Sequence, residues 1–353
     1  IITEDDAIVG LKTTAGTIKT DYVVNCGGLW ARELGSQHGV LIPNQAAEHY
    51  YLLTDAMDTV DPSWPVVEDP RNYAYIRPEG GGLMVGLFEG EAAAFDSSIQ
   101  PFGEIAPDWD RLTPYLEKAM SRVPSVQDVG VKKLFCGPES FTPDLAPLIG
   151  EAPELSRYFV AAGLNSIGIL TGPGVGRSVA NWVVDGVPDV DVCGVHVDRA
   201  RDYQATPEYR LDRVKEALGD VYKCHYPYKT PLRGRGAMLS PLHAALVERK
   251  ASFRSVSGFE APDYFGGKDG PLTWTEPPFF AAWGEEHRAV REACGLIDMS
   301  FMTKLVITGR DASAVLQRLS TSDIDTGKMT YTQWLNKKTG CIEADVTVCR
   351  LPR

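Results

Sequence analysis

Residues 135–182 constrain this chain more than any other stretch, because they set a strand, a nearly uncharged glycine turn and a helix end to end. Residues 158–162 (YFVAA) form a short apolar run of strand composition, and Gly163-Leu164-Asn165-Ser166-Ile167-Gly168 is a turn. Residues 175–184 then give a helical stripe through Val179, Trp182 and Val183. A strand that passes through a glycine loop into a helix gathers unpaired backbone N–H groups and the positive end of the helix dipole at one point. An anion or an electron-rich ring oxygen suits that point, and a plain strand-to-helix turn of an α/β fold looks the same.

A second strand-glycine-helix passage lies upstream. Residues 16–25 read as one strand that turns apolar at Tyr22-Val23-Val24 and runs into Cys26-Gly27-Gly28-Leu29-Trp30, with a helix following directly. Two glycines there permit either close approach to something flat or simply tight strand-helix packing. Between the two passages the grammar is antiparallel: strands over 47–55, 72–77 and 82–88, with His49 inside the first. A helix over 108–123 follows, apolar at Leu112, Leu116 and Met120, and then a strand over 129–135.

Beyond Gly186 the character changes. Residues 1–192 hold 12 Lys+Arg against 27 Asp+Glu, and residues 193–353 hold 23 against 20, which argues for a seam near residue 190. The later segments read as a helix over 206–219 with a Thr cap and Pro at its first position, and an irregular basic and aromatic linker over 222–235. A helix over 241–250, an aromatic loop over 255–265 and a helix over 285–294 come next. A strand over 304–308, a helix from Ala312 and a hairpin of 330–335 with 341–348 complete an α+β unit.

Several function classes drop out. An acidic first half without a basic aromatic stripe disfavours nucleic acid, and no apolar run approaches the roughly 18 to 20 residues that span a bilayer. Seven scattered cysteines with no C-x-x-C fit neither a zinc site nor a disulfide framework, and favour a cytosolic or matrix-like compartment over secretion. No metal site is expected. Walker and G-x-S-x-G motifs are missing, and Gly172-Pro173-Gly174-Val175-Gly176 lacks dinucleotide spacing.

The strings VVNCGGLWA, CGPESFTPDLAPLIGEAPEL, GLNSIGI and the later DMSFMTKL, YTQWLN and EADVTV resemble, in order, the sarcosine and dimethylglycine dehydrogenases. CGPESFTPD and GEAPEL are nearest the sarcosine dehydrogenases. The resemblance implies a mixed α/β and α+β chain: a D-amino-acid-oxidase-like FAD domain over 1–190, a central linker domain over 191–238, and the start of an aminomethyltransferase-like folate domain over 239–353. It also implies that the family's pyrophosphate motif and flavin-linking histidine would precede Ile1, so that this chain alone would hold FAD weakly or not at all.

Carried over by residue, the resemblance places Asn25, Cys26, Gly27, Gly28 and Trp30 in an FAD-contact segment. It places Gly163, Leu164, Asn165, Ser166, Ile167, Gly168 and Ile169 against the flavin ring, with a helix after Gly174 aimed at it. His49 matches the base of an H-x-Y strand and Tyr75 its aromatic partner. The alternatives are a strand histidine bonded to a carbonyl and a core tyrosine. Arg77 and Arg71 are candidates for a substrate carboxylate or plain surface charges. Asp345, with Tyr331 on the adjoining strand, matches a tetrahydrofolate-site acid, or else is a strand aspartate facing water. The implied reaction is oxidative demethylation of an N-methyl amino acid. The one-carbon unit would pass to tetrahydrofolate and the electrons to electron-transfer flavoprotein in the mitochondrial matrix. The pyruvate dehydrogenase phosphatase regulatory subunits share this architecture and similar strings around EHYYLLT and ESFTPD, so a non-catalytic regulatory role is the rival expectation.

Overall fold

The computed structural model describes residues 1–5, 7–96, 103–268, 270–325 and 329–351. It divides into two compact units, Ile1–Phe301 and Met302–Arg353.

The first unit is built around an antiparallel sheet in the order Val131–Phe141, Gln45–Thr54, Gly82–Leu87, Ala74–Glu79, Val67–Asp69, with Ala94–Phe95 also pairing to Gln45–Thr54. The two longest strands pair from Gln45 opposite Phe141 to Thr54 opposite Val131. One face of the sheet buries Tyr50, Leu52, Ile76, Leu83 and Leu134 against helix Trp109–Met120, which contributes Leu112, Leu116 and Ala119. That spacing of three and four residues gives the helix one apolar face. Its N-terminus is capped by Asp108, whose carboxylate accepts from the Arg111 N–H at 3.1 Å.

The other face packs against helix Pro207–Tyr222, where Val214, Ala217 and Leu218 meet Ala47, Phe88 and Phe141. This helix lies past the change in charge near residue 190 and still shares a core with the first sheet. Gly219 lets the two backbones touch, since a Cβ there would stand 2.7 Å from Gly90 Cα.

A smaller sheet orders Leu148–Glu151, Tyr158–Ala162 and Val23–Asn25. The last two strands run parallel, Tyr158 opposite Val23 and Val160 opposite Asn25. Both glycine passages therefore leave the sheet side by side. Helix Gly168–Asp185 packs back on it through Val179 and through Trp182, whose ring meets Phe159 edge-on at 5.8 Å. In the second unit, helix Ala312–Leu319 accompanies a hairpin of Met329–Leu335 and Ile342–Cys349, whose turn is held by the Asn336 side chain accepting from Lys338 and Thr339 N–H.

Five local expectations are corrected. Residues 16–25 form two strands, Gly16–Lys19 and Val23–Asn25, because the Thr20 hydroxyl donates to the Tyr22 carbonyl at 2.9 Å and bends the chain between them. The strand expected to end at 135 runs on to Phe141. It lies at the sheet edge, where Pro138 and its missing N–H are tolerated. The helix expected from 175 begins at Gly168 and carries Pro173 inside it. The aromatic loop at 255–265 is a hairpin turning on Ser257 and Gly258, both at positive φ. Residues 304–308 form no strand, and Leu305 and Val306 are exposed.

Candidate functional site

The two glycine passages and strand Val131–Phe141 enclose a cleft of about 910 Å³. One wall is Cys26, Gly28 and Trp30, and a second is Pro138, Glu139 and Ser140. The third is the Gly163–Ser166 turn with the exposed start of helix Gly168–Asp185. The start of that helix has no side-chain cap, and Ile169 is 99% exposed. Unpaired N–H groups and the helix dipole therefore face the cleft's end without competition.

Of the residues singled out in the sequence, Cys26, Gly28, Trp30, Gly163, Leu164, Asn165, Ser166, Gly168 and Ile169 line this cleft. Asn25, Gly27, Ile167 and Gly174 stand off its wall. Asn25 acts from behind. Its buried amide donates to the Ala31 carbonyl (2.9 Å) and to the Tyr158 hydroxyl (2.7 Å), and accepts from Gly27 N–H (3.0 Å), which fixes the first glycine passage to the sheet. Asn165 does the same for the second. Held at φ 51°, it accepts from Thr142 N–H (2.8 Å) and donates to the Gly163 carbonyl (2.6 Å). Gly163 must be glycine, since its φ is +64° and a Cβ would stand 2.4 Å from Thr142. A residue the sequence reading passed over, Asn44, ties two walls together by donating to the Gly28 carbonyl (2.9 Å) and the Ser140 hydroxyl (2.8 Å).

His49 stands behind the cleft wall. Its Nδ1 is 2.8 Å from Glu139 Oε2, a pairing set by the strand register that puts Gly137 opposite His49. Burial alone would lower the imidazole pKa. The hydrogen bond and charge of Glu139, with the charge of Glu89, outweigh it and hold the pKa above its ordinary value. The same partnership overcomes burial at Glu139 and holds that carboxyl below the usual range. Tyr75 does not meet His49 ring to ring. Both pack on Phe88, with centroids 5.2 and 5.4 Å away, and Tyr222 stacks on the same ring. Tyr222 also donates to the Ser166 carbonyl at 3.4 Å, joining this aromatic group to the turn. Arg77 pairs with Glu79 at 2.6 Å.

Neither Glu139 nor Glu89 was singled out by sequence reasoning. The first lies within the quoted CGPESF string, and the second ends an apolar strand run, GLMVGLFE, where a carboxylate is out of character. Glu89 is wholly buried, neither oxygen has a hydrogen-bond partner among the described residues, and burial pushes its pKa up to about 7. In the second unit, the Tyr331 hydroxyl donates to Asp345 Oδ2 at 2.6 Å on the exposed face of the hairpin. Among the described residues no cluster of three or more His, Cys, Asp or Glu side chains is arranged to hold a metal ion. No helix among them is long and apolar enough to cross a membrane.

Comparison with known proteins identifies the domains. The model of the FAD dependent oxidoreductases matches residues 1–182, that of their central domain matches 185–240, and that of the GCVT N-terminal domain matches 242–353. The chain belongs to the FAD dependent oxidoreductase family. Among curated relatives, the chain is 38% identical to 4-methylaminobutanoate oxidase (formaldehyde-forming) of Paenarthrobacter nicotinovorans, over 99% of this chain and 44% of the relative. It is 32% identical to mitochondrial sarcosine dehydrogenase of Homo sapiens, over 98% of this chain and 41% of the relative. It is 33% identical to the mitochondrial pyruvate dehydrogenase phosphatase regulatory subunit of Mus musculus, over 100% of this chain and 42% of the relative. The chain spans less than half the length of each.

The residues present fit the ring system of FAD. Apolar side chains and glycines make up most of the wall, Gly172 and Gly176 leave open space where a Cβ would project, and the uncapped helix start can face an electron-rich edge.

Proposed function

We propose that the cleft holds the flavin ring of FAD and serves the oxidation of the C–N bond of an N-methyl amino acid. The observation that carries this is the His49–Glu139 pair, with Glu139 on the wall of an apolar, glycine-walled cleft and His49 directly behind it. When bound, FAD supplies the hydride acceptor. The chain's residues do the rest. An amine gives up hydride only with its lone pair free, so the site must take an ammonium proton near neutral pH. Glu139, on the wall, and His49, behind it, are a carboxylate-imidazole pair suited to receive that proton. Tyr75 and Tyr222 hold Phe88, and through it the imidazole ring, in place. The N-terminus of helix Gly168–Asp185 favours negative charge on whatever lies before it by about 0.3 to 2 kcal/mol.

The finer reading is sarcosine or dimethylglycine as substrate, with the one-carbon unit passed to tetrahydrofolate at Tyr331 and Asp345. Electron-transfer flavoprotein would be the acceptor, in the mitochondrial matrix. The names of relatives support an N-methylated amino acid, and they include a bacterial oxidase as well as mitochondrial dehydrogenases. The likeness to a phosphatase regulatory subunit keeps one rival, a binding role without turnover.

The test is His49→Ala in the intact flavoprotein, followed by rapid mixing with sarcosine, dimethylglycine and 4-methylaminobutanoate. Flavin reduction by at least one of them should be slowed and lose a pH dependence. An unchanged reductive half-reaction rules out His49, and no reduction by any amine in the unsubstituted protein favours the regulatory role.

A further inference from the structure

Asn44 stands one residue before strand Gln45–Thr54, and Ser140 one residue before the end of strand Val131–Phe141. The register that sets Gln45 opposite Phe141 brings both to one corner of the sheet. Gly28 of the first glycine passage, at φ 56°, meets them there. Asn44 is 1% exposed. Its Nδ2 donates to the Gly28 carbonyl at 2.9 Å and to the Ser140 hydroxyl at 2.8 Å, and both receiving residues line the cleft.

The amide has one workable orientation. A carbonyl can only accept, so Nδ2 must face Gly28, and its second hydrogen then goes to Ser140. Turning the amide over would set Oδ1 against the Gly28 carbonyl. The orientation kept leaves Oδ1 buried and without a hydrogen-bond partner among the described residues, which is unfavourable in itself. Ser140 is thereby given a fixed role. Its oxygen accepts from Asn44, its proton is spare, and among the described residues its hydroxyl donates to none. Glu139, next along the strand, projects to the other face and pairs with His49. Val131–Phe141 is an edge strand, so the cleft meets side chains of both its faces. The open direction for the serine proton is the cleft.

We propose that Ser140 is a hydrogen-bond donor to the ring that fills the cleft, and that Asn44 is its positioning residue. The assignment rests on the reading of the cleft as a flavin site. The acceptor is a heteroatom at the polar edge of that ring. The unpaired amide oxygen then has a reason, since the opposite orientation would draw the serine proton inward and away from the ligand. In a mostly apolar wall, one oriented donor selects which edge of a flat ring faces strand Val131–Phe141. Reduction adds negative charge to the ring, so such a donor holds the reduced form more strongly than the oxidised one.

The experiment is the flavin midpoint potential of the intact flavoprotein, read by dye equilibration in Ser140→Ala, Ser140→Thr, Asn44→Ala and the double substitution Ser140→Ala with Asn44→Ala. Removing the hydroxyl should move the reduction equilibrium about tenfold towards the oxidised form, about 30 mV for a two-electron couple. Threonine keeps the donor and suits a strand, so Ser140→Thr should stay within about threefold of the unsubstituted protein. Asn44→Ala should lower the potential too, and should lower it no further once Ser140 is alanine. A shift in Ser140→Ala of less than about threefold overturns the proposal, and so does an additive double substitution. Should Asn44→Ala fail to fold, the two Ser140 variants decide alone. Flavin lost from Ser140→Ala and kept by Ser140→Thr upholds the donor, and flavin lost from both overturns it. An intact protein without flavin overturns this assignment together with the reading of the cleft, whereas a bound flavin indifferent to Ser140→Ala overturns the assignment alone.

Discussion

Replacing Glu89 with Gln should make this protein more stable as pH rises. Among the described residues the carboxyl oxygens have no hydrogen-bond partner, the residue has no exposed surface, and burial moves its pKa from 4.5 to about 7. At about 1.4 kcal/mol per pH unit, holding it ionised inside costs about 3 kcal/mol relative to the unfolded chain. The folded state binds more protons than the unfolded state between those two values. Stability from this group is therefore complete below 4.5, is lost as pH rises, and is fully lost above about 7. Glutamine has the same shape and no charge, and any unsatisfied amide it introduces costs the same at every pH. Urea unfolding of both proteins across that range isolates the effect, because only the difference between them is read. That difference should move in favour of Glu89→Gln by about 3 kcal/mol between pH 4.5 and 8.5. A pH-independent difference would refute the claim that burial outweighs the nearby charges of His49 and Arg111 at Glu89.

Two further substitutions test the frame of the site. Asn165→Ala strands the buried Thr142 N–H and should cost about 1 to 3 kcal/mol, read by urea denaturation; a loss below about 0.5 kcal/mol would mean that the turn does not need this brace. Glu216→Ala leaves Arg213 buried without its carboxylate and frees the Leu232 and Arg233 N–H groups, so about 3 to 5 kcal/mol should be lost. An unchanged thermal midpoint would show that the segment after the helix is held by other contacts.

Much of the cleft could be read from the chain because it is made of local passages. A strand, glycines and a helix start in succession put backbone where side chains cannot go, and that pattern is written at 23–30 and 158–169. The inner polar group could not be read this way. Glu139 reaches His49 through strand register, 90 residues away in sequence, and Glu89 looks like a turn-end acid until the helix over it is known. The helix start at Gly168 was hidden for a different reason. Glycine and proline lower local helix preference, and only packing through Val179 and Trp182 overrides them. The strand expected at 304–308 fails the other way, since an apolar β-branched run needs a neighbour to pair with and finds none among the described residues.

The glycines at the start of that helix give two different mutational landscapes. Gly174 and Gly176 both have room for a Cβ and ordinary helical backbone, so alanine at either should favour the helix by about 0.5 to 1 kcal/mol, whereas a Cβ at Gly172 would meet the ring of Pro173, which disfavours helical backbone in the residue before it. A selection for folding alone would enrich the first two replacements. Gly176 faces the cleft and Gly174 does not, so a selection for flavin retention should accept only Gly174→Ala. Two glycines of one helix with the same backbone would then separate the sequence information kept for stability from that kept for the ligand.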